Sequence, residues 1–359
     1  MTRTSAFAAL CVAALAQAAS ATTVTIDPGD SIQAALDNPA VDTIVVNPGT
    51  YDERLTIDRD VTLQGVDKST TILTWTGAPA EQLVMLGDNT GTVVANVTIE
   101  NLTFRNSGSI GGGGLEDADL IKFRASGGPG LITIRNNVFE GAGTSTGIEE
   151  AYQASEFVVT ENEFVNCYYG IWGNGLQNGE ISNNTFTDPT SAGIGMGGSG
   201  AGDDAPHDLS ILGNTMSGGA FGLILAENLH DMTFGCNTIT GAHTGILMWE
   251  YGPDDWANMV LENNSIFGNA VGLQGYYDAA GNPAIPVDVQ SNWWGDASGP
   301  GGVGPGSGDS IFLSNVNYNN WLTSPPDCGG QPVIPEPLTM AGLMLGVAAL
   351  GGYIRRRRG

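Results

Sequence analysis

Lysine and arginine are scarce in this chain, and their placement is uneven. The 359 residues hold 12 of them against 38 aspartates and glutamates, which gives a formal net charge of -26. None lies between Arg135 and Arg355. We expect no nucleic-acid binding, because so acidic a chain cannot neutralise a phosphate backbone, and an anionic partner would need a bridging cation.

Cysteine is also rare. Of the four cysteines, Cys11 lies in the apolar N-terminal run, which leaves Cys167, Cys236 and Cys328. Three is an odd number and no two form a close pairing motif, so we predict no disulfide framework. Cys167 and Cys236 are interpreted as small buried residues.

Both ends of the chain carry export features. Residues 1–21 combine a basic start, a short apolar run and small residues at Ala19 and Ala21, which predicts a signal peptide cleaved after Ala21. Leu338 to Ile354 is an uncharged apolar run of 17 residues, at the short limit for a membrane-spanning helix. An arginine cluster that follows such a helix holds its end on the cytoplasmic side.

The order of parts at the C-terminus resembles the PEP-CTERM sorting signal of Gram-negative bacteria. The three parts are a Pro-Glu-Pro motif, the apolar helix and a terminal arginine cluster, formed by Pro335, Glu336, Pro337, Arg355, Arg356, Arg357 and Arg358. The resemblance implies a sorting signal with a transmembrane helix over residues 335–359, a linker over 327–334, and the export machinery and an exosortase as partners. It also places the protein in the cell envelope, on the cell surface or in the extracellular matrix. An ordinary C-terminal membrane anchor is the alternative.

Between the ends, the sequence repeats one template. An alternating apolar strand is followed by Asn, any residue, an apolar residue, and Gly-Ile or Gly-Leu about six residues later. The repeated asparagines are Asn137, Asn162, Asn184, Asn214, Asn237 and Asn264, and Asn292 continues the series. Their spacings run from 22 residues (Asn162 to Asn184) to 30 residues (Asn184 to Asn214).

This repeat predicts an all-β fold, a single-stranded right-handed parallel β-helix. The strands have period two, no segment has sustained helical periodicity, and 53 glycines suit many tight turns. Coils of roughly 25 residues stack at a strand spacing of about 4.8 Å and share one core. The asparagines tolerate a left-handed turn conformation and form an internal hydrogen-bonded ladder. A β-propeller is the alternative, but it needs a longer period.

The N-terminal part favours the same fold. Asp30 or Ser31 can cap a short helix, Ile32 to Leu36, whose apolar face would plug the open end of the first coil. The cap, the coils, NWWGDASGP at Asn292 to Pro300 and the closing VNYNNWL resemble right-handed parallel β-helix repeat proteins of the pectate-lyase-like superfamily. The resemblance implies one domain over residues 22–326. It leaves activity open, since the superfamily includes lyases, hydrolases, esterases, adhesins and copper-maturation proteins.

Aligning the coils on the Gly-Ile motif predicts two outward columns of residues. The first column is Glu149, Trp172, Gly195, Ile224, Leu247 and Gln274, and the second is Ala151, Asn174, Gly197, Ala226, Trp249 and Tyr276. Lys122 and Arg124 extend the columns by one coil. Trp172, Trp249 and Tyr276 are therefore glycan-binding candidates on an extended shelf, unless loops cover them and make them a satellite core.

Three acidic groups are further candidates. Glu227 and Glu250 should lie one coil apart, a separation that suits a retaining glycosidase or a calcium ion. Glu116, Asp117 and Asp119 could hold calcium while Lys122 or Arg124 takes a proton from a uronate, as lyases of this fold are thought to do. Asp203 and Asp204, with His207 and Asp208, could ligate a metal. The alternatives are solvated surface acids and a Lys122–Glu149 salt bridge.

The sequence leaves two functions open. The favoured one is an exported, non-catalytic surface or matrix protein that binds polysaccharide, with calcium as a candidate cofactor. The other is an exported polysaccharide lyase or glycoside hydrolase that acts along the same face. The Gly-His-Gly motif of polygalacturonases is absent, and His230 and His243 have no serine or cysteine placed beside them by a motif.

Overall fold

The computed structural model of the chain describes residues 21–77, 82–87, 96–106, 119–123, 130–150, 156–197, 206–226, 229–249, 258–276, 287–313 and 315–329. These residues form one short helix and parallel strands stacked in three long sheets and one two-stranded sheet. The fold is therefore all-β, as predicted, and consistent with a right-handed parallel β-helix. From Thr43 to Tyr276 the chain passes in turn through the three long sheets, which are called A, B and C in the order in which it enters them.

Sheets A and B are built from strands that lie beside one another in the following spatial order. Sheet A has ten strands: β1 (Thr23–Ile26), β2 (Thr43–Val46), β5 (Val61–Gly65), β8 (Val97–Glu100), β11 (Ile132–Arg135), β14 (Phe157–Thr160), β17 (Gln177–Ser182), β20 (His207–Leu212), β23 (His230–Gly235) and β26 (Val260–Glu262). Sheet B has nine: β3 (Gly49–Asp52), β6 (Thr71–Trp75), β9 (Thr103–Asn106), β12 (Val138–Glu140), β15 (Glu163–Val165), β18 (Thr185–Thr187), β21 (Thr215–Ser217), β24 (Thr238–Thr240) and β27 (Ser265–Phe267).

Sheet C has eleven strands: β4 (Leu55–Ile57), β7 (Val84–Leu86), β10 (Ile121–Phe123), β13 (Ile148–Glu150), β16 (Tyr169–Gly173), β19 (Ala192–Met196), β22 (Phe221–Ala226), β25 (Thr244–Trp249), β28 (Val271–Tyr276), β31 (Gly308–Phe312) and β30 (Pro300–Gly302). A small sheet pairs β29 (Val287–Asp288) with β32 (Val316–Asn317).

The core lies inside the stacked coils, where alternate residues of each strand meet their counterparts from the coils above and below. In sheet B the inward position carries Phe104, Phe139, Phe164 and Phe186, whose rings stack with centroids 5.0, 4.6 and 4.7 Å apart. The register continues through Met216, Ile239 and Ile266. One apolar row thus runs through seven coils, which is the packing expected of a solenoid.

The seven asparagines stand above one another at the turn between sheets A and B. From Asn137 to Asn264, each donates its backbone N–H to the side-chain oxygen of the next asparagine at 2.9–3.0 Å. Each amide nitrogen also donates to a carbonyl of the preceding coil, as Asn214 does to Ile181 at 2.8 Å. All seven are at most 2% exposed, so the ladder satisfies backbone groups that water cannot reach.

The sequence predicted a left-handed conformation at these asparagines, but the structure has it one residue earlier in the chain. Positive φ values occur at the residue before each of them: Asn136, Glu161, Asn183, Gly213, Cys236, Asn263 and Ser291. The ladder residues do not adopt it, because each has to hold its N–H and its side-chain amide along the stack.

A helix, α1, begins at Ile32 and ends at Leu36, and Ser31 caps it by accepting the N–H of Ala34. The Glu53 carboxylate accepts the N–H groups of Ile32 at 2.7 Å and Gln33 at 3.3 Å, where the helix dipole favours a negative charge. At the other end, the Arg59 guanidinium donates to the Leu36 carbonyl at 2.8 Å. The role of α1 as a plug for the first coil stays a prediction.

The prediction of no disulfide framework is wrong in one respect, because Cys236 and Cys328 form a disulfide across 92 residues of sequence. Cys236 is half-buried in a turn, not a core residue. The spacing of the cysteines along the sequence did not indicate this disulfide, because the C-terminal segment returns along earlier coils. On the way, the Leu322 N–H donates to the Asn292 carbonyl before the chain reaches Cys328. Cys167 is free and buried, and burial raises the pKa of its thiol to about 12.

The export segments fall largely outside the described residues. These include all but the last residue of the predicted signal peptide, residues 330–334 of the linker and the whole of 335–359. Among the residues that are described, no helix is long and apolar enough to cross a membrane.

Candidate functional site

The outward face of sheet C has the register that the Gly-Ile motif predicts. Strand pairing aligns the first column as Lys122, Glu149, Trp172, Gly195, Ile224, Leu247 and Gln274. In the second column it aligns Ala226, Trp249 and Tyr276. The sequence pattern therefore gives the strand register of these residues correctly.

The first column is not an open shelf. Ile224 is 7% exposed and Leu247 is 4% exposed, and both pack with Ala192 in a small apolar cluster that Tyr169 and Phe221 extend. The middle of the column is thus a satellite core, but its buried members are aliphatic residues and not the aromatic candidates to which this alternative applied.

Trp172 is half-buried at the edge of this cluster. Its ring centroid lies 4.7 Å from that of Tyr169, and its indole N–H donates to the Asn174 amide oxygen at 3.1 Å. The indole lies over Gly195, where an added Cβ atom would come within 2.4 Å of a ring carbon. Glycine at this position therefore leaves the space that the tryptophan fills.

Trp249 has a different environment, since it is 44% exposed at the end of β25. It is three coils from Trp172, about 14 Å at the usual strand spacing. Its register neighbours are Ala226 and Tyr276. The Tyr276 side chain lies outside the described residues, so only its backbone position is known.

At the other end of the column, Lys122 forms a buried ion cluster. Its ammonium lies 3.0 Å from an Asp119 oxygen and 3.3 Å from a Glu149 oxygen. The salt bridge to Glu149 predicted as the alternative is present, and Asp119 adds a second carboxylate. Lys122 is 4% exposed and Asp119 is 1% exposed, so the cluster is shielded from water.

The charges in this cluster alter each other's titration. Burial disfavours the Lys122 ammonium, but the carboxylates of Asp119 and Glu149 outweigh it and raise the pKa of Lys122. Burial, with the neighbouring Glu149 carboxylate, raises the pKa of Asp119 well above its ordinary value, although Lys122 opposes this. A lysine acts as a base only when its pKa is lowered, so Lys122 is not poised to take a proton.

Two histidines from separate coils lie together on sheet A. The rings of His207 and His230 stack with centroids 4.8 Å apart on adjacent coils. Each precedes an aspartate with positive φ, Asp208 and Asp231. Sequence reasoning did not pair them, and the repeated His-Asp dipeptide at the start of two successive coils was the available signal.

Several candidates lie outside the described residues: Glu116, Asp117, Arg124, Asp203, Asp204, Glu227 and Glu250. For these side chains the roles in catalysis or calcium binding stay predictions. Within the described part of the chain, no three His, Cys, Asp or Glu side chains are grouped so that they could hold a metal ion.

Solved structures of low sequence identity are similar to this chain. The A-module of mannuronan C-5 epimerase AlgE6 from Azotobacter vinelandii is 16% identical, with 82% of this chain and 95% of that chain covered and a TM-score of 0.43. The catalytic domain of a GH87 alpha-1,3-glucanase in complex with nigerose is 14% identical in one structure, with 84% and 65% covered and a TM-score of 0.39. ORF18 of Geobacillus virus E2 is 11% identical, with 67% and 55% covered and a TM-score of 0.30.

A comparison with curated proteins gives no match. A protein family does match, in two overlapping stretches, residues 52–204 and 132–282, which both lie within the repeated coils. Together they cover more than half of the chain. The chain belongs to the family described as "Periplasmic copper-binding protein (NosD)".

Proposed function

We propose that the chain is an exported cell-envelope protein whose β-helix binds an extended polysaccharide without breaking it down. The observation that carries the proposal is the exposure of Trp249, which is 44% exposed at the end of β25. An exposed indole offers a flat apolar face on which a sugar ring can stack. Its neighbour in the preceding coil is Ala226, whose small side chain leaves room beside the ring. Tyr276 on the next coil and the half-buried Trp172 are the accompanying candidates.

Binding without catalysis is supported by the ion cluster. Lys122, the candidate base, is held between two carboxylates and has a raised pKa. The remaining catalytic candidates, Arg124, Glu227 and Glu250, stay open as the alternative function, a lyase or a glycoside hydrolase.

Export is supported by the family and by the disulfide. The family description is periplasmic, and a disulfide such as Cys236–Cys328 persists in oxidising compartments and is rare in the cytosol. We include in the proposal the cleavage of residues 1–21, the sorting signal at 335–359 with its exosortase, and membrane attachment through its apolar helix before processing. The plug role of α1 belongs to the same proposal.

The family description names copper, and the described residues do not fit a copper site. Copper prefers imidazole and sulfur ligands. Cys167 is buried, Cys236 and Cys328 are joined, and His207 and His230 have no third ligand grouped with them in the described part of the chain. We therefore derive no role for copper.

Calcium is the candidate cofactor from the sequence, and the residues that the structure describes include no group of three His, Cys, Asp or Glu side chains that could hold it. Of its three candidate ligands near the ion cluster, only Asp119 is described, and Asp119 is paired with the Lys122 ammonium. Calcium at Glu116, Asp117, Asp203 or Asp204 stays a prediction.

A glycan array followed by affinity electrophoresis on the bound polymer tests the proposal. Trp249→Ala should weaken binding by about tenfold or more, because a stacked aromatic anchor is lost. The matched control is Phe312→Ala, since Phe312 is 52% exposed on the same sheet and lies in the other column. Equal affinity of the two variants for the polymer would refute Trp249 as a binding residue.

A second assay separates binding from turnover. The bound polymer is incubated with the protein and examined for new reducing ends and unsaturated products. Products that disappear in Glu227→Gln or Glu250→Gln would establish the enzymatic alternative, and binding without products supports the proposal.

A further inference from the structure

A cavity of about 580 Å³, open to solvent, lies near the C-terminal end of the β-helix, beside β31 and β30, which are two and three strands from the β25 strand of Trp249. Its apolar side is formed by Val303 and Leu313, next to the last strands of sheet C. Its polar side is formed by four residues of one segment: Asn315, Asn317, Tyr318 and Asn319. The volume falls in the range of small-molecule sites, roughly 300–1,000 Å³.

The lining indicates the chemistry of a ligand. Three carboxamides offer both donors and acceptors, Tyr318 adds an aromatic ring, and the aliphatic residues provide an apolar surface. No lining residue carries a charge, although the chain as a whole is strongly acidic. A neutral ligand with many hydroxyl groups and an apolar ring face suits this lining, whereas an anionic sugar finds no cation.

The polar wall is held in place from several sides. We call residues 315–329 the strap. β32, within the strap, pairs with β29, and the Tyr318 hydroxyl donates to the Val303 carbonyl at 3.0 Å. The Asn317 side-chain oxygen accepts the Asn319 amide at 2.9 Å, which fixes two lining groups relative to each other.

The rest of the strap is anchored beyond the cavity. The Trp321 indole packs over Gly299 and donates to the Ala297 carbonyl at 3.3 Å. The disulfide then joins Cys328 to Cys236 in an earlier coil. The amides are thus arranged before a ligand arrives, which reduces the entropy lost on binding.

We propose that this cavity, the end pocket, binds a short neutral saccharide or the neutral end of a glycan chain. In naming a saccharide the inference rests on the proposed function, but it adds a second site with a different specificity. Trp249 would contact the polymer along its length, and the end pocket would recognise one or a few sugar units.

The test uses ligand-observed NMR with the full chain and a panel of neutral sugars: glucose, galactose, mannose, maltose and cellobiose. Glucuronate serves as the charged analogue. At least one neutral sugar should bind, and glucuronate should bind more weakly. Asn319→Ala should weaken neutral-sugar binding by about three- to tenfold, because one hydrogen-bonding amide is removed.

Asn320→Ala is the matched control. Asn320 is the neighbouring exposed amide, it donates to Gln290 at 2.9 Å, and it does not line the pocket. Its replacement should leave binding unchanged. Equal affinities for the two variants, or no binding by any neutral sugar, would overturn the proposal.

Two further variants distinguish the sites and the role of the strap. Trp249→Ala should weaken polymer binding and leave short-sugar binding unchanged, so failure at one site is separable from failure at the other. The double variant Cys236→Ser, Cys328→Ser should lose short-sugar affinity by a similar factor. If that variant does not fold, the Asn319→Ala comparison alone decides.

Discussion

Replacing one ladder asparagine by alanine should destabilise the fold far more than replacing its exposed neighbour. Asn214 is fully buried in the middle of the ladder. Its side-chain oxygen accepts the backbone N–H and the amide of Asn184, both at 3.0 Å. Its own amide donates to the Ile181 carbonyl at 2.8 Å and to the Asn237 side chain at 3.0 Å. Asn214→Ala therefore removes four buried hydrogen bonds.

The expected loss in the free energy of unfolding depends on which hydrogen bonds each partner of Asn214 retains. The Asn184 amide still donates to Val159 at 2.8 Å, and the Asn237 oxygen still accepts the backbone N–H of residue 214. The Asn184 backbone N–H has no second acceptor in the described part of the chain. One orphaned donor at about 1–3 kcal/mol, with about 0.5–1 kcal/mol for each of the three other lost bonds, gives a loss of about 2.5–6 kcal/mol.

Urea unfolding of the full chain, followed by circular dichroism, measures this loss. Thr215→Ala is the control, since Thr215 is exposed beside Asn214, and it should change the free energy of unfolding by less than about 0.5 kcal/mol. In addition, Asn214→Ala and Asn237→Ala should be non-additive, because the two side chains share a hydrogen bond. If Asn214→Ala costs no more than the control, the ladder contributes nothing and the reasoning fails.

Three other predictions concern the buried charges and the disulfide. Changing Cys236 and Cys328 to serine should lower the free energy of unfolding by about 4–5 kcal/mol, because the bond closes a loop of 92 residues; an unchanged urea midpoint would contradict this. Lys122→Met should cost about 3–5 kcal/mol by leaving two carboxylates without their cation. Lys68→Met, at a pair in which Lys68 is half-buried and Glu163 is exposed, should cost less than about 1 kcal/mol, and urea unfolding measures both. Asp119 keeps its proton in the folded state above its ordinary pKa of 3.8, so its contribution to stability is present at low pH and is lost as the pH rises. The free energy of unfolding of the wild type should therefore fall relative to Asp119→Asn as the pH rises from 3.8, and parallel pH curves would refute this.

The register of the coils could be predicted from the sequence because it depends on local patterns. The Gly-Ile or Gly-Leu motif marks the same position in six consecutive strands of sheet C, β13 to β28, so counting from it placed Trp172 opposite Gly195 and Trp249 opposite Tyr276. The period of two then decided which side chains point outward. Neither step needed knowledge of distant contacts.

The solvent exposure of the outward-pointing side chains could not be predicted from these local patterns. Ile224 and Leu247 point outward, yet both are buried, and pairing rules alone cannot say what packs on an outward face. Their apolar identity was the available signal: two large aliphatic residues stacked on adjacent coils indicate a covered surface. The Cys236–Cys328 bond was missed for a related reason, since it depends on where the strap runs after the last coil.

The turn beside the ladder shows how two roles divide between adjacent asparagines. Asn136–Asn137, Asn183–Asn184 and Asn263–Asn264 are dipeptides in which the first residue has positive φ and the second is buried. The first reverses the chain, a task that Glu161, Gly213 and Ser291 perform in other coils, so its identity is loosely specified. The second needs one acceptor and a donor at fixed positions, and no coil from Asn137 to Asn292 replaces it. Conformational tolerance therefore explains the variable first position, and the hydrogen bonds explain the invariant second one.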